Sequence, residues 1–532
     1  MAASQGHIKV VQFLIEQYAD VNACCSDRES RLYAAACDGH IDVVRALMTT
    51  GADANLQRND GFSALIVASQ EGHTHCVKLL VHHGAEVNIH NNVGATPLYW
   101  AASQGHIEVV QFLIEQHADV NACCRYRSRC LLIAAFNGHT DVVHALVSAG
   151  ADVNLQRKDG VSFVMVASAK GHTDCVKLLV HHGVEVDAQN NDGATSLYWA
   201  TKNGHIKVVQ FLIEQHANVN ACCSDGESCL GTAACNGHTD AVCALVFAGA
   251  HVNLQRNDGV SPLSTASQEG HIDCVKLLVR HGAEVNIDDD DGATPLHWAA
   301  SQGHIEVAQF LIERHADVNA CRSDGSSCLY AAALDGHIDV VRALVSAGAD
   351  INLQRKDGFS PLIVASGNGH VDIVVMLLVG GADIEMRNNY GGTAAYQAAS
   401  FGQIDVLDAL IARGADVDAV NYDVRSPLCQ AAINGHMDVV KRLIQHKANI
   451  TGDDPLSLVA ACGKQEVKKS MLQLLMNNGA YVVPGTNSKD ETALMFAVSN
   501  GDFDVVKMFV DCGADIHPRN VDNLQAIVDL WT

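Results

Sequence analysis

A Gly-His pair returns at a fixed step along this chain. It occurs at Gly6, Gly39, Gly72, Gly105, Gly138, Gly171, Gly204, Gly237, Gly270, Gly303, Gly336, Gly369 and Gly435, with Gly402-Gln403 filling the gap, so every step is 33 residues. Self-similarity at this period is the mark of a stacked-repeat architecture. Nine residues before the glycines runs a ladder of hydroxyl residues: Ser30, Ser63, Thr96, Ser162, Thr195, Ser228, Ser261, Thr294, Ser327, Ser360, Thr393 and Ser426, broken by Arg129. A second period, of 99 residues, lies over the first: VVQFLIEQ at 10–17, 109–116 and 208–215 returns as VAQFLIER at 307–314. The chain thus holds copies of a three-unit block and serves as its own comparison set.

One unit, residues 291–319, reads DGATPLHWAASQGHIEVAQFLIERHADVN. Thr294-Pro295 predicts a helix start, a hydroxyl cap followed by proline at the first helical position. Leu296, Ala299 and Ala300 share one face of that helix, and Gly303 ends it. Ile305, Ala308, Leu311 and Ile312 predict a second helix, followed by an extended ADVN and an Asp-Gly turn. Neither helix can bury its apolar face alone, so neighbouring units must stack.

The T-P-L-H start, the G-H turn and the A-D-V-N exit resemble the ankyrin-repeat family, and the resemblance covers nearly the whole chain. It implies an all-α repeat solenoid of helix–turn–helix units with β-hairpin fingers. In that family the fingers and first helices line a concave face that binds other proteins without catalysis.

The spacing predicts a continuous array over 1–449 with a truncated first unit, because Met1 aligns with Trp100 and Trp199 inside a first helix. Residues 450–482 read as a degenerate unit with a shortened finger, a longer second helix and a bend. Residues 483–520 read as a terminal unit and 521–532 as a partial unit or cap. Ends of this kind are expected of a piece of a longer array.

Composition narrows the function. A formal charge of −25 opposes binding to nucleic acid or anionic membranes. No run of about 18 apolar residues is present to span a bilayer. The start, MAASQGHIKV, has no basic segment followed by an apolar core, so the 19 cysteines read as reduced thiols in the cytoplasm, or else the nucleus. A monomer is expected. Thirteen of the 28 histidines are turn residues one unit apart, too far apart to share an ion, and neither paired C-x-x-C nor H-E-x-x-H occurs. The phosphate-binding G-x-x-x-x-G-K-[ST] and the nucleophile motif G-x-S-x-G are missing too. No metal, cofactor or catalytic residue is therefore assigned.

Candidate binding residues come from helical geometry. With Leu98 facing the core, Trp100 points about 200° away, and Trp199 and Trp298 repeat its position. Val67, Ile133, Val166 and Val364 occupy that position in other units. The expectation is an apolar stripe that either meets partners or packs between helices. Phe62, Phe359, Tyr390 and Phe401 would flank it. In the stretch NACCRYRSRC, Arg125, Tyr126 and Arg127 replace the Ser-Asp-Gly of later copies, and read either as drift or as a basic contact finger.

The family resemblance further implies asparagine hydroxylation where Leu stands eight residues before an exit Asn, as for Asn121, Asn154 and Asn319. Two departures carry structural expectations. Arg129 cannot cap a helix as Ser or Thr would, and Tyr18, His117, His216 and His315 hold a left-handed helix end where other units have glycine. The functional expectation is a scaffold or adaptor that binds other proteins. The alternative is the substrate-reading part of a kinase or ubiquitin-ligase adaptor whose other domain lies elsewhere.

Overall fold

The computed structural model describes residues 1–25, 27–125, 128–451, 455–462, 467–480 and 493–514. Among these there are 31 short helices and no strand, which makes the chain a helical repeat array. By contacts it divides into two units, Met1–Ala266 with Leu277–Ala283, and Ser267–Lys276 with Glu284–Thr532.

In both units the helices come as pairs that follow the sequence period. The pair Pro97–Gln104 and Ile107–Glu115 in the first unit corresponds to Pro295–Gln302 and Ile305–Glu313 in the second. The hydroxyl ladder caps the first helix of each pair: Thr96 accepts from the Tyr99 N–H at 3.2 Å, and Ser327 from the Tyr330 N–H at 3.1 Å. Leu98, Ala101 and Ala102 are buried, and Val109, Val110 and Leu113 of the second helix are fully covered. Among the described residues six fingers are tight turns closed by a single antiparallel bridge, such as Gln57 to Ser63 and Cys321 to Ser327, and others, such as 255–261, have none, so the fingers are not ladders of strand.

The Gly-His pair turns out to be the joint between neighbouring 33-residue repeats. Gly138 caps its helix in the left-handed region at φ +78°, and a Cβ placed there would stand 2.5 Å from the His172 ring of the next repeat. The same ring hydrogen-bonds through Nε2 to the Phe136 carbonyl at 2.9 Å. A carbonyl only accepts, so the ring carries its proton on Nε2. The arrangement recurs at His73, His106, His139 and His205 in the first unit and at His304, His337, His370 and His436 in the second. Gln403, the exception to the motif, donates its amide to the Gly367 carbonyl at 3.1 Å and so makes the same bond.

The sequence departures lie where expected. Arg129 makes no capping bond and instead reaches the Asn121 carbonyl at 2.9 Å. Tyr18, His117, His216 and His315 all have φ between +60° and +64°. The structure adds Lys447 at the same position and Arg28 and Val424 at the finger-tip glycine position. In the degenerate unit the second helix runs over Lys468–Asn477, ten residues. The expected helical extension falls on 463–466, outside the described residues, as do the finger residues 452–454 and the terminal 521–532.

Two outcomes are expected in chemical denaturation. His172→Ala should destabilise by about 1–3 kcal/mol through the unpaired carbonyl, and His172→Gln by clearly less, since Gln403 already makes this bond. Arg129→Ser, which restores a cap, and Val424→Gly, which relieves a β-branched residue in the left-handed region, should each stabilise by about 1 kcal/mol. Equal losses for the two His172 variants, or a fall in stability for either repair, would contradict this account.

Candidate protein-binding face

The first helices and the finger turns bring together several of the residues picked out by sequence. Trp100 is half-buried, its ring 5.5 Å from Phe62 on the preceding finger and 5.8 Å from Tyr99, edge-on. Trp199 is also half-buried, edge-on to Tyr198 at 5.8 Å, with the Lys202 ammonium 5.4 Å above its ring. Trp298 lies under the Arg322 guanidinium at 5.9 Å. Cations over indole faces stabilise the rings by roughly 0.5–1 kcal/mol at such sites.

The indole N–H groups point inward, and their fates differ. Trp298 donates to the Asp289 carboxylate at 3.2 Å. The Trp100 and Trp199 N–H groups are buried without a partner. The cause is one atom in the turn. Asp289 uses Oδ1 for the Asp291 and Ala293 N–H groups and has Oδ2 left to accept. Asn91 and Asn190 stand at the equivalent positions and use Oδ1 in the same way. What they have left is an NH₂, a donor that cannot accept an indole proton.

The other positions of the expected stripe diverge. Ile133 and Val166 are half-buried. Val67 and Val364, at 3% and 7% exposure, belong to the packing between helices and offer a partner no surface. Phe62 and Phe359 are half-buried, whereas Tyr390 and Phe401 are exposed. Arg125 is exposed and donates its backbone N–H to the Val93 carbonyl at 2.7 Å, while Tyr126 and Arg127 lie outside the described residues. Tyr422 and Val424, not singled out from the sequence, are exposed as well. Unit-by-unit alignment was the available signal, because Ser323 and Gly325 hold those places in another unit.

The hydroxylation candidates sit on the fingers. Asn121 and Asn319 each accept a backbone N–H from the next finger, from Asp152 at 3.1 Å and Asp350 at 2.8 Å. Asn154 is exposed and donates its N–H to the Asp152 carboxylate at 3.0 Å.

Among the described residues no three His, Cys, Asp or Glu side chains gather as a metal site, and no helix is long and apolar enough to cross a membrane. The thiols of Cys130, Cys229 and Cys328 are buried, which pushes each up to about 12. They stay protonated near neutral pH and serve as small apolar core groups rather than as nucleophiles or ligands.

One buried base is pH-sensitive. His297 occupies the place held by Tyr99, Tyr198 and Tyr396 in other units, is 3% exposed and leaves Nδ1 without a partner. Burial first, then the Arg322 charge, lower its pKa from 6.5 to about 4. The unfolded chain therefore binds a proton that the folded chain refuses between these values, and stability falls as pH drops through that window. The loss should be about 2 kcal/mol near pH 5. His297→Tyr should flatten this acid-side decline in unfolding midpoint measured between about pH 7 and pH 5. An unchanged decline would show that other groups cause it.

The fold defines a stacked helix-pair repeat protein with aromatic side chains on several of its first helices. A family model described as ankyrin repeats in three copies matches residues 1–58, 32–124, 131–223, 230–322, 329–421, 398–482 and 428–520, and one described as ankyrin repeats in many copies matches 203–246. The chain belongs to the ankyrin repeat family. Among solved structures it is similar to the human ASB11 ankyrin repeat domain, at 26% identity and a TM-score of 0.39, over 42% of this chain and 99% of that one. A comparison with curated proteins gives no match.

Proposed function

We propose that this protein is a non-catalytic scaffold or adaptor that binds other proteins through its first helices and fingers. Ankyrin repeats are in general protein–protein interaction modules, and the family assignment carries that coarser statement. The observation that supports this face is the repeated half-exposed tryptophan, joined at Trp100 by the finger residue Phe62. Half-exposed aromatic rings supply large contact area at low entropic cost, and tryptophan is enriched among residues that dominate interface energies. We propose further that the protein acts as a monomer in a reducing compartment, the cytoplasm or nucleus, where its many thiols stay free.

The block copies supply a test that protects the fold. Gln397 stands 99 residues after Trp298, in the same position. The variant Trp100→Gln, Trp199→Gln, Trp298→Gln should therefore fold, with far-UV circular dichroism unchanged. Proteins retained by the wild-type chain on an affinity column should be lost or reduced about tenfold with the variant. Retention of the same proteins in the same amounts would remove the tryptophans from the binding face.

A further inference from the structure

The 99-residue period lets one surface be compared with its own copies. Two neighbouring repeats present a finger and a first helix each at 20–38 and 53–71, and one block on at 119–137 and 152–170. The same surface returns at 218–236 with 251–269 and at 317–335 with 350–368. Three of the four are acidic, with formal charges of −4, −3 and −2 in the first, third and fourth blocks. In the second block the same places hold six Arg and Lys residues against Asp119, Asp152 and Asp159, a charge of +3. Particular sites cause the reversal. Arg125 and Arg129 stand where the other blocks have serine, and Lys170 stands where they have Glu71, Glu269 and Asn368. The flanking repeats, at 86–104 and 185–203, carry −1 and −2, so the basic surface is local.

Its cations are also free to act. Arg157 is ion-paired with Asp159 at 3.0 Å, but among the described residues Arg125, Arg129, Lys158 and Lys170 form no ion pair. The other two carboxylates, Asp119 and Asp152, lie at the finger entries, where each accepts the N–H two residues on. Arg125 is exposed. Arg129 donates through Nη1 to the Asn121 carbonyl at 2.9 Å and keeps the rest of its fork of donors. The serines at its place cap their helices and Arg129 does not, so the positive charge is held at a cost in stability. The same repeat gains apolar bulk. Ile133, half-buried, replaces Ala34, Thr232 and Ala331, and one turn on Phe136, 43% exposed, replaces Cys37, Cys235 and Leu334. The Lys170 ammonium lies 4.5 Å from the centre of the Phe136 ring, so charge and apolar surface adjoin.

We infer that the fingers and first helices of 119–137 and 152–170 form a docking site for a short acidic protein segment that carries an aromatic or aliphatic side chain. Its carboxylates pair with Arg125, Arg129 and Lys170, and its apolar side chain packs on Ile133 and Phe136. With +3 here and −25 overall, the rest of the chain carries −28, which repels a long polyanion such as nucleic acid and favours a short segment. The inference rests on the protein-binding reading given above and names one site and one ligand chemistry within it.

The experiment is selection from a random peptide display library on the intact chain. Peptides enriched on the wild type should carry Asp or Glu beside Phe, Tyr, Leu or Ile. The variant Arg125→Ser, Arg129→Ser, Lys170→Glu installs only residues that other blocks hold, and Arg129→Ser restores a cap, so lost binding cannot be put down to a lost fold. Affinity for the enriched peptides should fall about tenfold or more on this variant, and its salt dependence should shrink. Ile133→Ala with Phe136→Cys, the residues of the first block, should weaken binding with the salt dependence kept. Enriched peptides that are basic or lack carboxylates would overturn the inference, as would failure to enrich any peptide. Binding kept by the charge variant but lost on Trp100→Gln, Trp199→Gln, Trp298→Gln would overturn this site and leave the protein-binding reading standing. A DNA or RNA oligonucleotide bound more tightly than any peptide, and lost on the charge variant, would overturn the protein ligand. Self-association of the wild type, abolished in the charge variant, would assign the surface to a second copy and overturn the inference.

Discussion

The structure depends on one joint, a histidine ring of each unit laid on the glycine of the unit before it. The glycine is required twice: its left-handed backbone ends the first helix, and its missing Cβ leaves room for the ring. The ring then supplies the hydrogen-bond donor that the end of the preceding helix lacks. Helix termination, helix restart and contact between units thus fall within two adjacent residues. This explains why the Gly-His pair is the feature that repeats most faithfully, while the finger tips and helix surfaces vary.

The places where the motif fails show which part of it matters. Gln403 has no ring, yet its amide reaches the carbonyl that histidine would reach. In the last described pair the turn reads Gly501-Asp502, and the chemistry is inverted. Asp502 brings an acceptor where a donor is needed, and Lys468 stands between, donating to Asp502 at 3.0 Å and to the Ala460 carbonyl at 3.2 Å. Both charged groups are almost covered, with side-chain exposures of 6% and 13%. Burying such a pair has a desolvation cost that its attraction roughly offsets, so it preserves the joint without strengthening it. Asn500 donates to the same Ala460 carbonyl at 3.0 Å. What persists across all three versions is a donor to a carbonyl in the last turn of the preceding first helix, Ala460 lying one residue earlier than the carbonyl the histidines reach.

The period, the two helices, the hydroxyl caps, the uncapped Arg129 and the strained helix ends at His117 and His216 were legible in the sequence, because each is set by residues close in the chain. Lys447 was equally legible by alignment and escaped only because its helix lacks the QFLIEQ motif. The candidate face was legible in part. Helical geometry separated Trp100 from the core side of its helix but could not show that Val67 and Val364 are covered, since that depends on the bulk of neighbours 33 residues away. The finger shape was read too regularly, because a single bridge or none suffices once adjacent fingers bond to each other. The fate of the indole protons turned on Asn against Asp at Asn91 and Asp289, a difference of one atom that no periodicity reports.

A repeat of this kind separates two duties that a compact domain must combine. The Gly-His joint, the caps and the buried Leu and Val positions hold the units together through backbone groups and small apolar contacts. None of them needs the residues at the finger tips. Duplication copies both sets, and afterwards only the first is held to its pattern by stability, since a lost joint costs more than most surface changes. The tips are then free to change. Most stayed aspartate, a residue suited to tight turns because its carboxylate accepts a nearby backbone N–H, as Asp60 does from Phe62. Replacing that acceptor with Tyr390, and the neighbouring glycine position with Val424, gives up turn stability for exposed apolar surface. Stability alone does not favour that exchange, and it also occurs at Val93, at Tyr126 and, for the glycine position, at Arg28. The same comparison that defines the repeat therefore also marks where the surface departs from it, and those departures are the residues through which one ankyrin array can differ from another in what it binds.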